Sequence, residues 1–91
     1  MTWMIHTMAK STKQLSAREV FARNVRRVRR WKEMSQESLA LEAGLSRPYL
    51  GEIERATRSV SIDLMGQISA ALSVSLRDLV DPGMKIDSSG D

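Results

Sequence analysis

The sequence has no cysteine, a single histidine and only 4% aromatic residues. Without cysteine the chain forms neither a disulfide framework nor a thiolate metal site, and His6 alone leaves no histidine cluster for zinc. No apolar run approaches the roughly 18–20 residues that cross a bilayer, so we expect a cytoplasmic protein without a membrane partner. Paired carboxylates, a glycine-rich phosphate loop and a nucleophile–base pair are also missing from the segments with helical patterns. We therefore predict that the chain is not an enzyme and uses no metal or cofactor.

Charge is distributed unevenly along the 91 residues, of which 42% are hydrophobic and 27% charged, a composition typical of one folded domain. Residues 1–34 hold nine lysines and arginines against two glutamates, whereas residues 61–91 hold two basic residues against five aspartates. A clustered basic surface attracts polyanions because it releases their counterions. The same arginines equally fit a solvated helix face, so charge alone leaves nucleic-acid binding open.

Apolar spacing and capping signals predict helices throughout and no strand. Ser16 and Glu19 have the spacing of a capping box. An apolar stripe follows at helical spacing: Ala17, Phe21, Val25 and Val28. The first helix is therefore predicted over 17–32.

Four further serines are predicted to cap shorter helices: Ser35, Ser46, Ser61 and Ser75. Gly44 suits a turn with positive φ between the second and third helices, and Ser75 with Asp78 has the pattern of a second capping box. Three parts of the chain are predicted: a flexible N-terminal arm at 1–14, an all-α domain at 15–83 and a flexible C-terminal tail at 84–91.

The stretch from Gln36 to Arg55 has the parts of a helix-turn-helix, in which a second short helix enters the major groove of DNA. Ala40 supplies a small residue where the helices cross, and Gly44 supplies the turn. At 100° per residue the outward face of the second motif helix, which is the third helix of the chain, carries five residues: Arg47, Pro48, Gly51, Glu52 and Arg55. Two arginines and a glycine that permits close approach suit contact with a groove. The spacing alone also fits an ordinary helical hairpin.

Several stretches carry a resemblance to a known family: Phe21 to Arg29, Met34 to Ala40, Gly44 to Arg55, and Ala70 to Val74 followed by Leu79. Together they resemble the lambda-repressor-like (Xre, or Cro/CI) helix-turn-helix family over about residues 18–82. The resemblance implies a compact five-helix DNA-binding domain that regulates transcription. Within the family, the run from Ser46 to Ser61 looks most like the controllers of restriction–modification systems; phage-type repressors are the other close group.

The resemblance implies base contacts from three residues of the second motif helix. Arg47 can grip O6 and N7 of guanine, or it can bind a phosphate instead. Pro48 can offer only apolar contact, as to a thymine methyl group. Glu52 can accept from a cytosine amino group, or it can orient Arg47 or Arg55.

The resemblance also implies phosphate contacts from five residues: Gln36, Ser46, Tyr49, Arg55 and Arg58. Gln36 begins the first motif helix, whose positive end attracts a phosphate. For Tyr49, burial in the core is an alternative of almost equal weight. Arg58 lies just past the second helix, where either a phosphate or the minor groove is within its reach.

Arg29 and Glu54 resemble a family pair that joins the first helix to the recognition helix. Glu54 falls beside the core face, where an unpaired carboxylate is costly, so we interpret the pair as structural. Family members often have glycine where this chain has Glu33 and Ala56. Either these two residues adopt positive φ, at a cost on the order of 1 kcal/mol each, or the local turns differ and Arg58 moves.

These features predict a homodimer that binds a (pseudo)palindromic operator in double-stranded DNA and controls its own expression. One motif covers about four to six base pairs, so a dimer on two half-sites gains affinity and specificity. Three residues in and next to the fifth helix are predicted to form the dimer surface: Leu76, Leu79 and Val80. RNA polymerase is a candidate partner, and no small-molecule effector is expected.

The alternative is an antitoxin that masks a toxin and represses its own operon. The acidic tail or the N-terminal arm would then hold the partner, the arm through its apolar residues: Trp3, Met4, Ile5 and Met8. RNA binding is less favoured, because the chain lacks the aromatic side chains of a stacking platform.

Overall fold

The structure, a computed structural model, describes residues 14–86. Within that range five helices follow one another: α1 (Ala17–Trp31), α2 (Gln36–Ala43), α3 (Arg47–Glu54), α4 (Ile62–Leu72) and α5 (Leu76–Leu79). No strand occurs between residues 14 and 86, so the predicted all-α fold with five helices is confirmed. Residues 1–13 of the predicted arm, including Trp3, Met4, Ile5 and Met8, and residues 87–91 of the predicted tail lie outside the described residues.

Each of the five helices begins after a serine whose hydroxyl oxygen accepts a hydrogen bond from a first-turn amide: Ser16, Ser35, Ser46, Ser61 and Ser75. The cap satisfies a backbone donor that has no partner within its helix. At Ser16 the capping box is complete, because its amide also donates to Glu19 Oε1 at 2.9 Å. At Ser75 the predicted second box is wrong. The Ser75 Oγ accepts from the amide of Arg77 at 3.0 Å, and the shorter side chain of Asp78 lies 3.8 Å from the Arg77 guanidinium instead.

The core forms between all five helices, with α1 packed against α3, α4 and α5, and α2 packed against α3 and α4. Its buried apolar residues come from every helix: Phe21, Val25, Val28, Leu39, Ala40, Ala43, Leu50, Ile53, Ile68, Leu72, Leu79 and Met84. Ala17, the first residue of the predicted stripe, is exposed. Met84 is 92% buried and Ile86 packs beside the core, so the domain boundary predicted after Gly83 is wrong. Both side chains are apolar, and burying them extends the folded part to at least residue 86.

Helices α1 to α4 all end in a left-handed residue, and only the one after α2 is a glycine, Gly44. After α1, α3 and α4 the left-handed residues are Glu33 (φ 59°), Ala56 (φ 61°) and Ser73 (φ 59°). Behind Glu33 and Ala56 the chain still makes the usual closing bonds, from Met34 N to Arg29 O at 3.0 Å and from Thr57 N to Glu52 O at 3.1 Å. Of the two alternatives for positions 33 and 56, the structure therefore adopts positive φ with a side chain present.

Helix α5 is held by a buried asparagine on α1 that the sequence analysis did not single out. The Asn24 side chain is fully buried, and its Nδ2 donates to the carbonyls of Leu79 at 3.1 Å and Asp81 at 2.9 Å. Its Oδ1 accepts from Arg23 and from Arg27. The Asn24 amide therefore both donates and accepts hydrogen bonds. Its donor satisfies carbonyls at the end of α5, because this one-turn helix has no following turn whose amides could bond them.

Candidate nucleic-acid interface

Helices α2 and α3 form the helix-turn-helix, and their inner faces are fixed to the rest of the core. Ala40 on α2 is 2% exposed, while Leu50 and Ile53 anchor α3 beneath it. Gly44 turns the chain between them at φ 76°. Gln67 on α4 donates to the Ala43 carbonyl at 3.0 Å and so fixes the end of α2. The outward face of α3 is thereby held as a rigid surface.

A buried ion pair joins α1 to the last turn of α3. Arg29 Nε lies 2.7 Å from Glu54 Oε2, and Arg29 Nη2 lies 2.9 Å from Glu54 Oε1. The Glu54 side chain is 2% exposed. Arg29 Nη1 also donates to the Met34 carbonyl at 2.9 Å, in the turn that leads to α2. One guanidinium therefore ties together α1, the start of the motif and the end of the recognition helix.

Gln36, predicted to bind a phosphate, extends this buried pair toward the surface. Its Nε2 donates to Glu54 Oε1 at 3.0 Å, so the amide is oriented by the carboxylate that Arg29 also holds. The side chain is half-buried at the first position of α2. Both of its amide atoms, Nε2 and Oε1, would lie 4.0 Å from a β-carbon placed at Gly51 on the outward face of α3.

The first turn of α3 presents the predicted base-contacting residues. Arg47 and Pro48 are both exposed, and Arg47 engages no partner among residues 14–86. Ser46 is exposed too, but its Oγ accepts from the Tyr49 amide at 3.2 Å and caps the helix. Pro48 is tolerated here because amides of the first turn need no helical partner.

Arg58, beyond the end of α3, folds back over the helix. Its Nε donates to Glu52 Oε1 at 2.7 Å, and its guanidinium lies 4.9 Å from the centroid of the Tyr49 ring. The hydrogen bond and the charge of Glu52 raise the pKa of Arg58. Both side chains of the pair are substantially exposed. Glu52 thus orients Arg58 and not Arg47 or Arg55, a partner that the sequence analysis missed.

Gly51 lies in the middle of the outward face and yet is buried. A β-carbon placed there would lie 3.2 Å from Arg55 Nη1 and 4.0 Å from the amide atoms of Gln36. The space that the glycine leaves is therefore covered by two side chains of this same chain.

Arginines of α1, a helix whose arginines were expected on a solvated or nonspecifically attracting face, hold the segments that follow α3 and α5. Arg26 Nη1 donates to the Glu54 carbonyl, and Arg18 Nη2 donates to Ser59 Oγ at 3.1 Å. Arg23 Nη2 donates to the Pro82 carbonyl at 2.7 Å. Much of this basic charge is consequently used to fix loops of the domain.

A helix-turn-helix family model matches residues 25–79, a range that includes the whole of α2 to α5 and the last seven residues of α1. The chain belongs to the lambda-repressor-like helix-turn-helix family of DNA-binding transcription regulators. It is 49% identical over 65 residues to control protein C.BamHI of Bacillus amyloliquefaciens, covering 70% of this chain and 80% of that one. Over 66 residues it is 36% identical to control protein C.SmaI of Serratia marcescens, covering 72% and 79%.

The fold of this family member is also similar to that of a solved relative. The crystal structure of the restriction–modification controller protein C.AhdI from Aeromonas hydrophila matches with a TM-score of 0.66 and 37% identity, over 68% of this chain and 94% of that one. These three relatives are control or controller proteins, and they lend no support to the antitoxin alternative.

The regulator's predicted dimer residues do not share one surface. The Leu79 side chain is fully buried in the core and its carbonyl accepts from Asn24, so its assignment to a dimer surface is wrong. Helix α5 has a single turn, and Leu79 is the side chain of that turn that points inward. Leu76 is half-buried, and Val80 is 44% exposed beside a groove of about 320 Å³ with Phe21 and Met65.

No helix among residues 14–86 is both long and apolar enough to cross a bilayer. No group of three or more acidic, histidine or cysteine side chains gathers there in a metal-binding arrangement.

Proposed function

We propose that this regulator acts as a homodimeric controller of a restriction–modification type, binding a (pseudo)palindromic operator upstream of its own gene. The observation that carries the proposal is the outward face of α3, where Arg47 is exposed and Arg58 is held by Glu52 and Tyr49. Behind this face the buried Arg29–Glu54 pair keeps the helix in place. Similarity to two control proteins supports the same function.

Base recognition is assigned to the start of α3. Arg47 is exposed at a helix N-terminus that would point into the major groove, where a guanidinium bonds O6 and N7 of guanine. Pro48 beside it offers apolar contact to a thymine methyl group. Glu52 already bonds Arg58, which favours a positioning role for it over a bond to cytosine.

Phosphate binding is assigned to the residues that flank this face: Gln36, Ser46, Tyr49, Arg55 and Arg58. Gln36 is oriented by Glu54, and Arg58 by Glu52, so both donors are placed before DNA arrives. Ser46 caps α3 through its lone pairs and keeps its hydroxyl hydrogen available. Such contacts fix the position of a protein on DNA and carry little sequence information themselves.

Dimerisation is assigned to the surface around α5, with Leu76 and Val80 as its apolar residues and the groove beside Val80 as its continuation. A dimer would place two recognition helices about 34 Å apart, on half-sites one helical turn from each other. We place the regulator in the cytoplasm, where it acts on DNA without a small-molecule effector, cofactor or enzymatic activity. Contact with RNA polymerase is the further step that activation of transcription would require.

The decisive experiment measures binding to the DNA upstream of its own gene and to a shuffled duplex, at about 0.15 M salt, together with the stoichiometry of the complex. We expect a preference of about 10³-fold or more, with two or four chains per site. Arg47→Ala should reduce the affinity for the preferred duplex by about 10- to 100-fold, because one good bidentate base contact is worth about 1–3 kcal/mol. Arg30→Ala removes the same charge from an exposed site on α1 and should leave the preference between the two duplexes unchanged, so it serves as the control.

Equal, weak and strongly salt-dependent binding to both duplexes would contradict sequence-specific autoregulation. One chain per site at saturation would contradict the dimer. If the protein bound a toxin and showed no preference between the two duplexes, the antitoxin alternative would be favoured instead.

A further inference from the structure

Gly51 stands in the middle of the recognition helix, where glycine is less favourable than alanine. Its φ is not positive, so backbone conformation does not require glycine. An added β-carbon would lie 3.2 Å from Arg55 Nη1, which is a tight contact, and 4.0 Å from Gln36 Nε2, which is an ordinary one. By contrast, Gly66 on α4 has open space where its side chain would be.

We propose that Gly51 exists to let Arg55 lie back along α3 beside Gln36, so that the two side chains together bind one DNA phosphate. This inference rests on the proposed function and names a donor pair within it. Gly51 is the positioning residue, and Arg55 and Gln36 are the ligands.

The chemistry of the pair fits a phosphate oxygen. A guanidinium supplies a charged, directional donor, and an amide supplies a neutral one close by. The carboxylate that orients Gln36, that of Glu54, already accepts from Arg29 Nε, Arg29 Nη2 and Gln36 Nε2. Its charge is compensated by Arg29, so the charge of Arg55 remains available for an anion.

The competing explanation is that glycine lets the backbone of α3 approach the bases directly. The two explanations differ in one respect. If the glycine serves Arg55, a methyl group at position 51 has no effect once the Arg55 guanidinium is gone. If the glycine instead lets the backbone of α3 approach the bases, a methyl group at position 51 weakens binding whether or not Arg55 is present.

The experiment is a double-mutant cycle with Gly51→Ala and Arg55→Ala, and with Gly66→Ala as the matched glycine control. Affinity for the duplex upstream of its own gene and for a shuffled duplex is measured between about 50 and 200 mM salt. Arg55→Ala should weaken binding to both duplexes by the same factor, roughly three- to tenfold, and reduce the salt slope by about one. Gly51→Ala should give a smaller loss of the same kind, and none in the Arg55→Ala background.

Two further readouts exclude a merely structural effect. Thermal melting of Gly51→Ala and of Gly66→Ala should be unchanged or raised, because alanine favours a helix. The NMR signal of the Arg55 Nε–H group should shift in Gly51→Ala and stay in place in Gly66→Ala.

The inference is overturned if Arg55→Ala leaves affinity and salt slope unchanged while the wild type still prefers its own upstream DNA. It is also overturned if Gly51→Ala weakens binding equally with and without Arg55, or changes the preferred sequence. Absence of any DNA binding by the wild type is a different result, which refutes the proposed function together with the inference.

Discussion

Arg58, which follows the recognition helix, packs over the ring of Tyr49 in the first turn of that helix, with the guanidinium 4.9 Å from the centroid of the ring. Glu52 holds the same guanidinium through a bond of 2.7 Å. A long side chain that would otherwise sample many rotamers is thus placed at the proposed DNA surface in advance. Preorganisation of this kind reduces the entropy lost on binding.

Loss of Glu52 should reduce discrimination between sequences. Glu52→Ala removes a negative charge from the proposed interface, so affinity for a shuffled duplex should rise a few-fold. Affinity for the operator should rise by a smaller factor, because Arg58 is no longer held in place. Fluorescence anisotropy on both duplexes measures the ratio, and an equal gain on both would contradict the positioning role. In an Arg58→Ala background the loss of discrimination should disappear.

The pair between Arg29 and Glu54 should contribute more to stability than to sequence preference. Glu54→Ala leaves the Arg29 guanidinium buried without its carboxylate, which typically costs about 3–5 kcal/mol. Urea unfolding measures the loss, and selection of preferred DNA sequences at a temperature where the variant is folded measures the preference. Unchanged stability with an altered preference would show that the pair acts in recognition instead.

Glycine at positions 33 and 56 should stabilise the fold. Glu33 and Ala56 have φ of 59° and 61°, where a β-carbon is strained. Relief of that strain exceeds the extra freedom that glycine gives the unfolded chain, so we expect about 0.5–1 kcal/mol from each of Glu33→Gly and Ala56→Gly. Urea unfolding tests both. Gly44→Ala, the reverse change at φ 76°, is the control and should destabilise.

Neighbouring residues at the end of α5 should give opposite results. Leu79→Ala empties a fully buried site and should cost about 2–5 kcal/mol in the free energy of unfolding. Val80→Asp changes an exposed side chain and should leave the monomer folded while it shifts sedimentation from dimer to monomer. A dimer that persists in Val80→Asp at micromolar concentration would place the dimer surface elsewhere.

Local signals account for what the sequence alone predicted about the fold. The serine caps at Ser16, Ser35 and Ser46 each depend on a hydroxyl and an amide three residues apart, and the observed helices begin where those signals stand. Gly44 was identifiable as the motif turn because glycine adopts positive φ without strain. The pairing of Arg29 with Glu54 came from the family resemblance, because no local pattern relates residues 25 positions apart.

Tertiary structure decided the features that depend on distant or irregular segments. Arg58 reaches Glu52 only because the chain turns back at Ala56, and a helical wheel says nothing about residues beyond the helix. Asn24 holds carbonyls more than 50 residues away, and the order of residues does not show which polar group will meet them. Leu79 and Val80 are equally apolar, and only the packing of a one-turn helix buries one and exposes the other. The sequence by itself determined where helices start and turn, since those interactions span a few residues; contacts between helices determined which side chains are left for DNA.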